Sequence, residues 1–139
     1  MAAAPQAGLD DLSRLHSLDE DSVQDALQAR YGQAKIYTHI NSLLVAVNPY
    51  KQLNIYGEDQ LRAFTSYGQQ VPGPHVFGVA AATYRGLLDS RSQSVIISGE
   101  SGAHQARRRR LRQGVHSLPA GARRPDQGGQ LDQVEDEVQ

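Results

Sequence analysis

Ser94-Val95-Ile96-Ile97-Ser98-Gly99-Glu100-Ser101-Gly102-Ala103 is the stretch on which the prediction of the fold depends. Residues 94–98 carry a β-rich apolar run, which predicts a buried strand, and the two glycines after it predict a tight loop. Phosphate-binding loops begin in this way, because glycines let backbone N–H groups close on phosphate oxygens at the mouth of a helix. From these residues alone, an ordinary turn is the favoured interpretation.

The three residues after this loop do not complete the phosphate-binding pattern. His104 stands where a third glycine belongs, and it adds a Cβ where the backbone must approach the ligand closely. Gln105 replaces the lysine that neutralises phosphate charge, and Ala106 replaces the hydroxyl that holds Mg²⁺. The sequence therefore predicts the first half of a phosphate loop without its charged and metal-binding residues.

Composition divides the chain of 139 residues into unlike parts. All six Tyr and both Phe precede residue 104, whereas residues 104–139 contain no Ile, Phe, Tyr, Trp or Lys. A segment so poor in large apolar groups cannot bury enough surface to offset its chain entropy. We therefore predict a flexible N-terminus at residues 1–9, a folded part at residues 10–103, and a disordered tail rich in Arg, Gln and Gly at residues 104–139.

Charge and composition exclude several kinds of site. The net charge of −1 conceals arginines at 107–110 and 112 and an acidic end at residues 132–137. The arginines lack interleaved aromatic residues for base stacking, so a solvated basic run is favoured over a nucleic-acid or nuclear-localisation patch. The chain has no Cys, and its five His show no ligand spacing, so no metal site is predicted. Without a signal-like start or a long apolar run, we expect a cytoplasmic protein with no membrane contact.

Periodicity predicts an α/β fold that alternates helices with about three strands. A first helix carries Val23, Ala26, Leu27 and Arg30, is capped at Ser17, and stops at Gly32. A hairpin joins strands at residues 36–39 and 43–47, and the second of these, apolar throughout, should be covered on both faces. A short helix follows at residues 58–67, then a helix from His75 with a stripe through Val76, Val79, Ala80, Tyr84, Leu87 and Leu88, and then the strand at residues 94–98.

Two further features are candidates for a functional site. Asn48-Pro49-Tyr50-Lys51, followed by Tyr56, offers a hydrogen-bonding amide, a stacking ring and a cation after a buried strand. A strand-ending turn is the alternative, and it is favoured when these residues are taken alone. For His75, packing at a helix N-terminus is favoured over catalysis.

Taken together and in order, these segments resemble the opening part of a myosin motor head, more an unconventional than a muscle one. The segments that carry the resemblance are residues 27–31, 36–38, 44–51 with Tyr56, 74–77 with Ala80, Tyr84 and Arg85, and 93–103. The resemblance implies an incomplete N-terminal piece of a P-loop motor domain. Members of this family bind ATP with Mg²⁺ and move on actin filaments in the cytoskeleton, whereas this chain is expected to bind no cofactor productively. The resemblance also implies an adenine side formed by Asn48, Pro49, Lys51 and Tyr56, and a phosphate side formed by Gly99, Glu100, Ser101, Gly102 and Ala103.

The resemblance stops after Ala103 and predicts a chain without catalytic activity. Neither the phosphate-loop lysine and threonine nor the switch segments, actin-binding surface, converter and neck are found in the 139 residues. The change in composition at His104 indicates a frameshift or an alternative splice, and therefore a truncated motor domain.

Other function classes stay open at this point. A non-enzymatic interaction or regulatory fragment that binds a partner through its basic tail, nucleic acid included, is the alternative to a motor fragment. With so few strands, unpaired edges and exposed apolar faces predict marginal stability and self-association.

Overall fold

The computed structural model describes residues 9–65, 72–89, 91–99 and 103–117. After a 3-10 turn at Leu12–Arg14, the elements in chain order are α1 (Glu20–Gly32), β1 (Tyr37–Ile40), β2 (Leu43–Ala46), α2 (Glu58–Thr65), α3 (Val76–Leu88) and α4 (Ala103–His116). They belong to two compact units. The first comprises the described residues of Met1–Ile55 and Pro72–His75, and the second those of Tyr56–Val71 and Val76–Gln139. Helices combined with an antiparallel pair of strands confirm the predicted α/β class.

The N-cap of helix α1 lies two residues after the predicted one. Asp19, not Ser17, is the N-cap, and its carboxylate accepts a hydrogen bond from the backbone N–H of Ser22 at 2.7 Å. Ser17 instead donates its hydroxyl hydrogen to Asp19. These donors, Ser17 first, lower the pKa of Asp19 to about 2. The prediction was wrong here because a carboxylate at the cap also accepts from the helix and is favoured by the positive end of its dipole.

The hairpin forms as predicted, with boundaries moved by one residue. Tyr37 pairs with Ala46 and Ile40 with Leu43, and Asn41 takes a positive φ of 53° in the turn between them. Such a conformation suits Asn, whose short polar side chain tolerates the left-handed region. The expectation that β2 is covered on both faces is not met, since Leu43 is 65% exposed and residues 44–46 are half-buried.

Arg30 joins three segments of the first unit. Its guanidinium is 3% exposed and donates to the carbonyl of Leu9 at 2.7 Å, to Oδ1 of Asp10 at 3.0 Å and to the carbonyl of Tyr37 at 2.7 Å. The segment at residues 9–11 then continues beside β1, where His39 N–H donates to the carbonyl of Asp10 at 2.8 Å. Buried polar groups must be hydrogen-bonded, so Arg30 fixes α1, β1 and this segment together.

His75 is buried in the first unit, at 7% exposure. Its Nε2 lies 3.0 Å from the carbonyl oxygen of Ile55, and its ring meets that of Tyr37 edge-on with centroids 5.0 Å apart. These contacts confirm the predicted packing role immediately before α3. Burial lowers the pKa of His75, and the hydrogen bond to Ile55 acts in the opposite direction.

Helix α3 supplies the core of the second unit. The predicted stripe is confirmed at Val76, Ala80 and Tyr84, which are buried, and Phe77 is 1% exposed. Phe64 of α2 packs edge-on against Phe77 with centroids 6.5 Å apart. The other helices of this unit, α2 and α4, pack against the apolar face of α3.

Helix α4 corrects the prediction that disorder begins at His104. Leu111 and Val115 are buried, and Gly114 between them packs against α3. Their i, i+3, i+4 spacing forms one narrow apolar face, and Ala, Arg, Gln and Leu are good helix formers. The average composition of residues 104–139 concealed this face. Residues 118–139 of the predicted tail, like residues 66–67 of the predicted short helix, lie outside the described residues.

The predicted strand at residues 94–98 is not formed. Residues 91–99 have no regular secondary structure, and Ile96 is 74% exposed. In the described parts of the chain, the sheet contains β1 and β2 alone. A strand requires a partner for its backbone groups, and β-branched residues at 95–97 do not supply one.

Replacing Gly114 by Ala is expected to destabilise the protein, although Ala is the better helix former. An added Cβ would lie 2.7 Å from Ala80 Cβ and 3.0 Å from Phe77 Cδ1, so α3 and α4 must separate. We expect a loss of about 1–3 kcal/mol in the free energy of unfolding, as for other overpacked cores. Thermal and urea unfolding followed by circular dichroism measure it.

Gly32→Ala is the control for this change, since a Cβ at Gly32 meets nothing within 4 Å. It is expected to leave stability unchanged or slightly raised. Equal stability of Gly114→Ala and Gly32→Ala would contradict the packing of α4 on α3.

Stability should fall on mild acidification because of His75. Its folded-state pKa lies below the ordinary 6.5, so the unfolded state binds the proton more readily. The stabilisation is complete above 6.5 and is lost as the pH falls through that value towards the lower folded-state pKa. The thermal midpoint of the wild type should therefore drop more between about pH 7.5 and about pH 5 than that of His75→Gln. The exposed His116, changed to Gln, is the control, and equal drops in all three proteins would contradict the role of His75.

Candidate nucleotide site

The loop after β2 holds three residues of the predicted adenine side in the first unit. Val47 N–H donates to the carbonyl of Ile36 at 2.9 Å, which marks the last pairing of the hairpin. Asn48 Oδ1 then accepts from Tyr50 N–H at 3.0 Å, and Tyr50 takes a φ of +49°. This side-chain turn ends the strand, as the alternative interpretation predicted. It also leaves Asn48 and Lys51 exposed and Pro49 half-buried.

An open groove of about 800 Å³ lies beside this loop, within the first unit. Asn48 and Tyr50 line one side of it, and α1 lines the other with Val23, Leu27 and Tyr31. The hydroxyl of Tyr31 donates to the carbonyl of Pro49 at 3.2 Å, which ties α1 to the loop. Pro49 and Lys51 do not line the groove.

Tyr56, the fourth residue predicted for the adenine side, belongs to the second unit. Its half-buried ring meets Phe77 edge-on with centroids 6.2 Å apart. The guanidinium carbon of Arg110 lies 4.1 Å from the centroid of the same ring, over its face. Sequence reasoning missed Arg110 because it assigned the residue to a disordered tail. The signal that could have found it is the apolar spacing of Leu111 and Val115, which turns residues 103–116 into a helix.

The predicted phosphate side is only partly described. Gly99 is exposed at the end of the irregular segment, and Ala103 is the first residue of α4. Glu100, Ser101 and Gly102 lie outside the described residues. A helix that begins immediately after the glycines nevertheless has the order that a phosphate loop requires. The first turn of α4 contains no acidic residue.

The described ranges hold no group of three His, Asp or Glu side chains that could bind a metal ion. Within the same ranges, no helix combines the length and apolar content needed to cross a bilayer.

Comparison with known proteins gives consistent matches over most of the chain. The sequence model of the family "Myosin head (motor domain)" matches residues 9–111. "Myosin type-2 heavy chain 2" of Schizosaccharomyces pombe is 47% identical over 96 residues, which cover 68% of this chain and 5% of the relative. "Unconventional myosin-Va" of Homo sapiens is 45% identical over 98 residues, or 69% and 5%. "Myosin IA heavy chain" of Dictyostelium discoideum is 42% identical over 97 residues, or 69% and 10%.

The family match runs to residue 111, past Ala103 and into α4. Type-2 and unconventional myosins match at similar identity, so the finer resemblance to an unconventional myosin stays a prediction. The matched stretch spans 5–10% of the length of the three relatives named above. Over its residues 9–111, the chain belongs to the myosin head (motor domain) family.

Proposed function

We propose that residues 9–111 are the nucleotide-side part of an ATP-driven motor head that acts on actin filaments, and that this chain does not itself hydrolyse ATP. The observation that carries the proposal is the start of α4 at Ala103. It places residues 104–106 in the first helical turn after the glycines, where a phosphate loop supplies its lysine and its hydroxyl. His104, Gln105 and Ala106 supply neither.

The nucleotide residues of this proposal are those that the family resemblance assigns. It assigns the adenine side to Asn48, Pro49, Lys51 and Tyr56, and the phosphate side to Gly99, Glu100, Ser101, Gly102 and Ala103. The start of α4 at Ala103 supports the phosphate assignment, because the positive end of a helix dipole attracts anions. The cofactor would be ATP with Mg²⁺, and the metal would have to be held without a hydroxyl at residue 106.

Catalysis is the part that the proposal excludes. Phosphoryl transfer depends on positioning and on neutralising the charge of the transferred group. Arg107 is the first cation after the loop, but it follows Ala103 by a full helical turn. A cation one turn along the helix is not in the position of the phosphate-loop lysine, so nucleotide would be bound weakly and without turnover.

The proposed partner is the actin filament, and the proposed location is the cytoplasm, with the cytoskeleton. The membership of the motor-head family supports both, together with a composition that offers no membrane-binding feature. We do not assign the actin-contacting surface of a motor to residues 9–111.

Restoring the missing groups should restore phosphate affinity. The purified chain is expected to show no Mg²⁺-dependent ATP hydrolysis, with or without actin filaments. The double variant Gln105→Lys with Ala106→Thr should bind Mg·ATP about tenfold more tightly or better, because a charge-assisted contact and a metal ligand are added. Isothermal titration calorimetry and a nucleotide-dependent rise of the thermal midpoint measure the gain.

Gln60→Lys is the matched control for charge, since Gln60 is exposed and lies in α2 rather than in the first turn of α4. It should not tighten binding. If Gln60→Lys and the double variant bind Mg·ATP equally well, the glycines before α4 are not a phosphate site. Actin-stimulated hydrolysis by the unmodified chain would contradict the proposed inactivity.

A further inference from the structure

Arg110 covers one face of the ring that the proposed function assigns to the purine. Its guanidinium carbon lies 4.1 Å from the centroid of Tyr56, which is the distance of direct stacking. Phe77 meets the same ring edge-on at 76° with centroids 6.2 Å apart. Tyr56 is therefore held by a T-shaped contact with Phe77 and by a cation over its face.

The packing of α4 keeps Arg110 in this position. Leu111, the next residue, is 4% exposed, and Val115, one turn on, is 8% exposed. Gly114 sits so closely on Phe77 and Ala80 that a Cβ would not fit there. Phe77 thus supports both Tyr56 and α4, which fixes the distance between Tyr56 and the backbone that carries Arg110.

A guanidinium and a purine compete for the same surface of a tyrosine ring. Both are planar, and both stack on the negative face of the aromatic system. One face cannot hold both at van der Waals distance. The contact in the structure therefore opposes base binding on this face.

We propose that Arg110 is a specificity-determining residue that makes this chain reject purines at Tyr56. The inference rests on the proposed function, which supplies the assignment of Tyr56 to the adenine side. It goes beyond that function because the obstruction comes from a side chain in α4 and is independent of the missing lysine and hydroxyl.

Adenosine is the probe that isolates this effect. It carries the base without phosphates, so the loss of an arginine charge does not alter a phosphate attraction. We expect Arg110→Ala to bind adenosine about threefold to tenfold more tightly than the wild type, the range expected for loss of a competing cation–ring contact. NMR titration of the intact 139-residue chain with adenosine measures the dissociation constants.

Arg109→Ala is the matched control, since Arg109 is exposed on the same helix and carries the same charge. It should bind adenosine as the wild type does. Adding Tyr56→Leu to Arg110→Ala should remove the gain. Circular dichroism checks that α4 is intact, and Arg110→Gln, which keeps most of the side-chain length, replaces Arg110→Ala if the alanine variant unfolds.

The outcomes separate the inference from the proposed function. Tighter adenosine binding by Arg110→Ala but not by Arg109→Ala, lost when Tyr56→Leu is added, supports the inference. Equal adenosine binding by the wild type and Arg110→Ala, lost with Tyr56→Leu, overturns the inference and leaves Tyr56 as a purine contact. Binding that is undetectable, or insensitive to Tyr56→Leu, in every protein overturns both the inference and the assignment of Tyr56 to the adenine side.

Discussion

The close approach of α4 to α3 at Gly114 is the constraint on which the second unit depends. Phe77 lies at its centre with 1% of its surface exposed, and it touches Phe64 of α2, the ring of Tyr56 and the backbone of α4. Aromatic pairs at these separations stabilise beyond the area they bury. Because the helices approach within contact of a bare Cα at Gly114, the contact of Phe77 with α4 requires this short separation between α3 and α4.

The first unit is held in a different way, by a buried cation. Arg30 donates to two backbone carbonyls and to Asp10, so α1 is joined to β1 and to residues 9–11 through polar contacts. The two Nη atoms make these hydrogen bonds, whereas the buried Nε of Arg30 has no hydrogen-bond partner in the described part of the chain. The apolar side chains of this unit are less completely buried, since Leu18, Tyr31 and Tyr50 remain exposed around the groove beside Asn48.

Local patterns could be read from the sequence, whereas partners in space could not. The helical stripe of α3 and the turn residues between β1 and β2 act over a few residues, so the predictions there are confirmed. The prediction of a strand at residues 94–98 was wrong because β-branched content does not specify which strand would pair with it. Helix α4 was missed because composition was averaged over 36 residues in the sequence, although three of them, Leu111, Gly114 and Val115, decide its packing.

Packing and phosphate chemistry depend on different residues of α4. Leu111 and Val115, in its C-terminal half, are buried, and Gly114 between them packs against α3. A phosphate loop requires Gly, Lys and a hydroxyl at the start of its helix, where this sequence has His104, Gln105 and Ala106. The family match covers these three residues and continues to residue 111. Arg110 lies one residue before Leu111, and its guanidinium lies over Tyr56 while its Nη1 donates to Gln113 Oε1 at 3.3 Å.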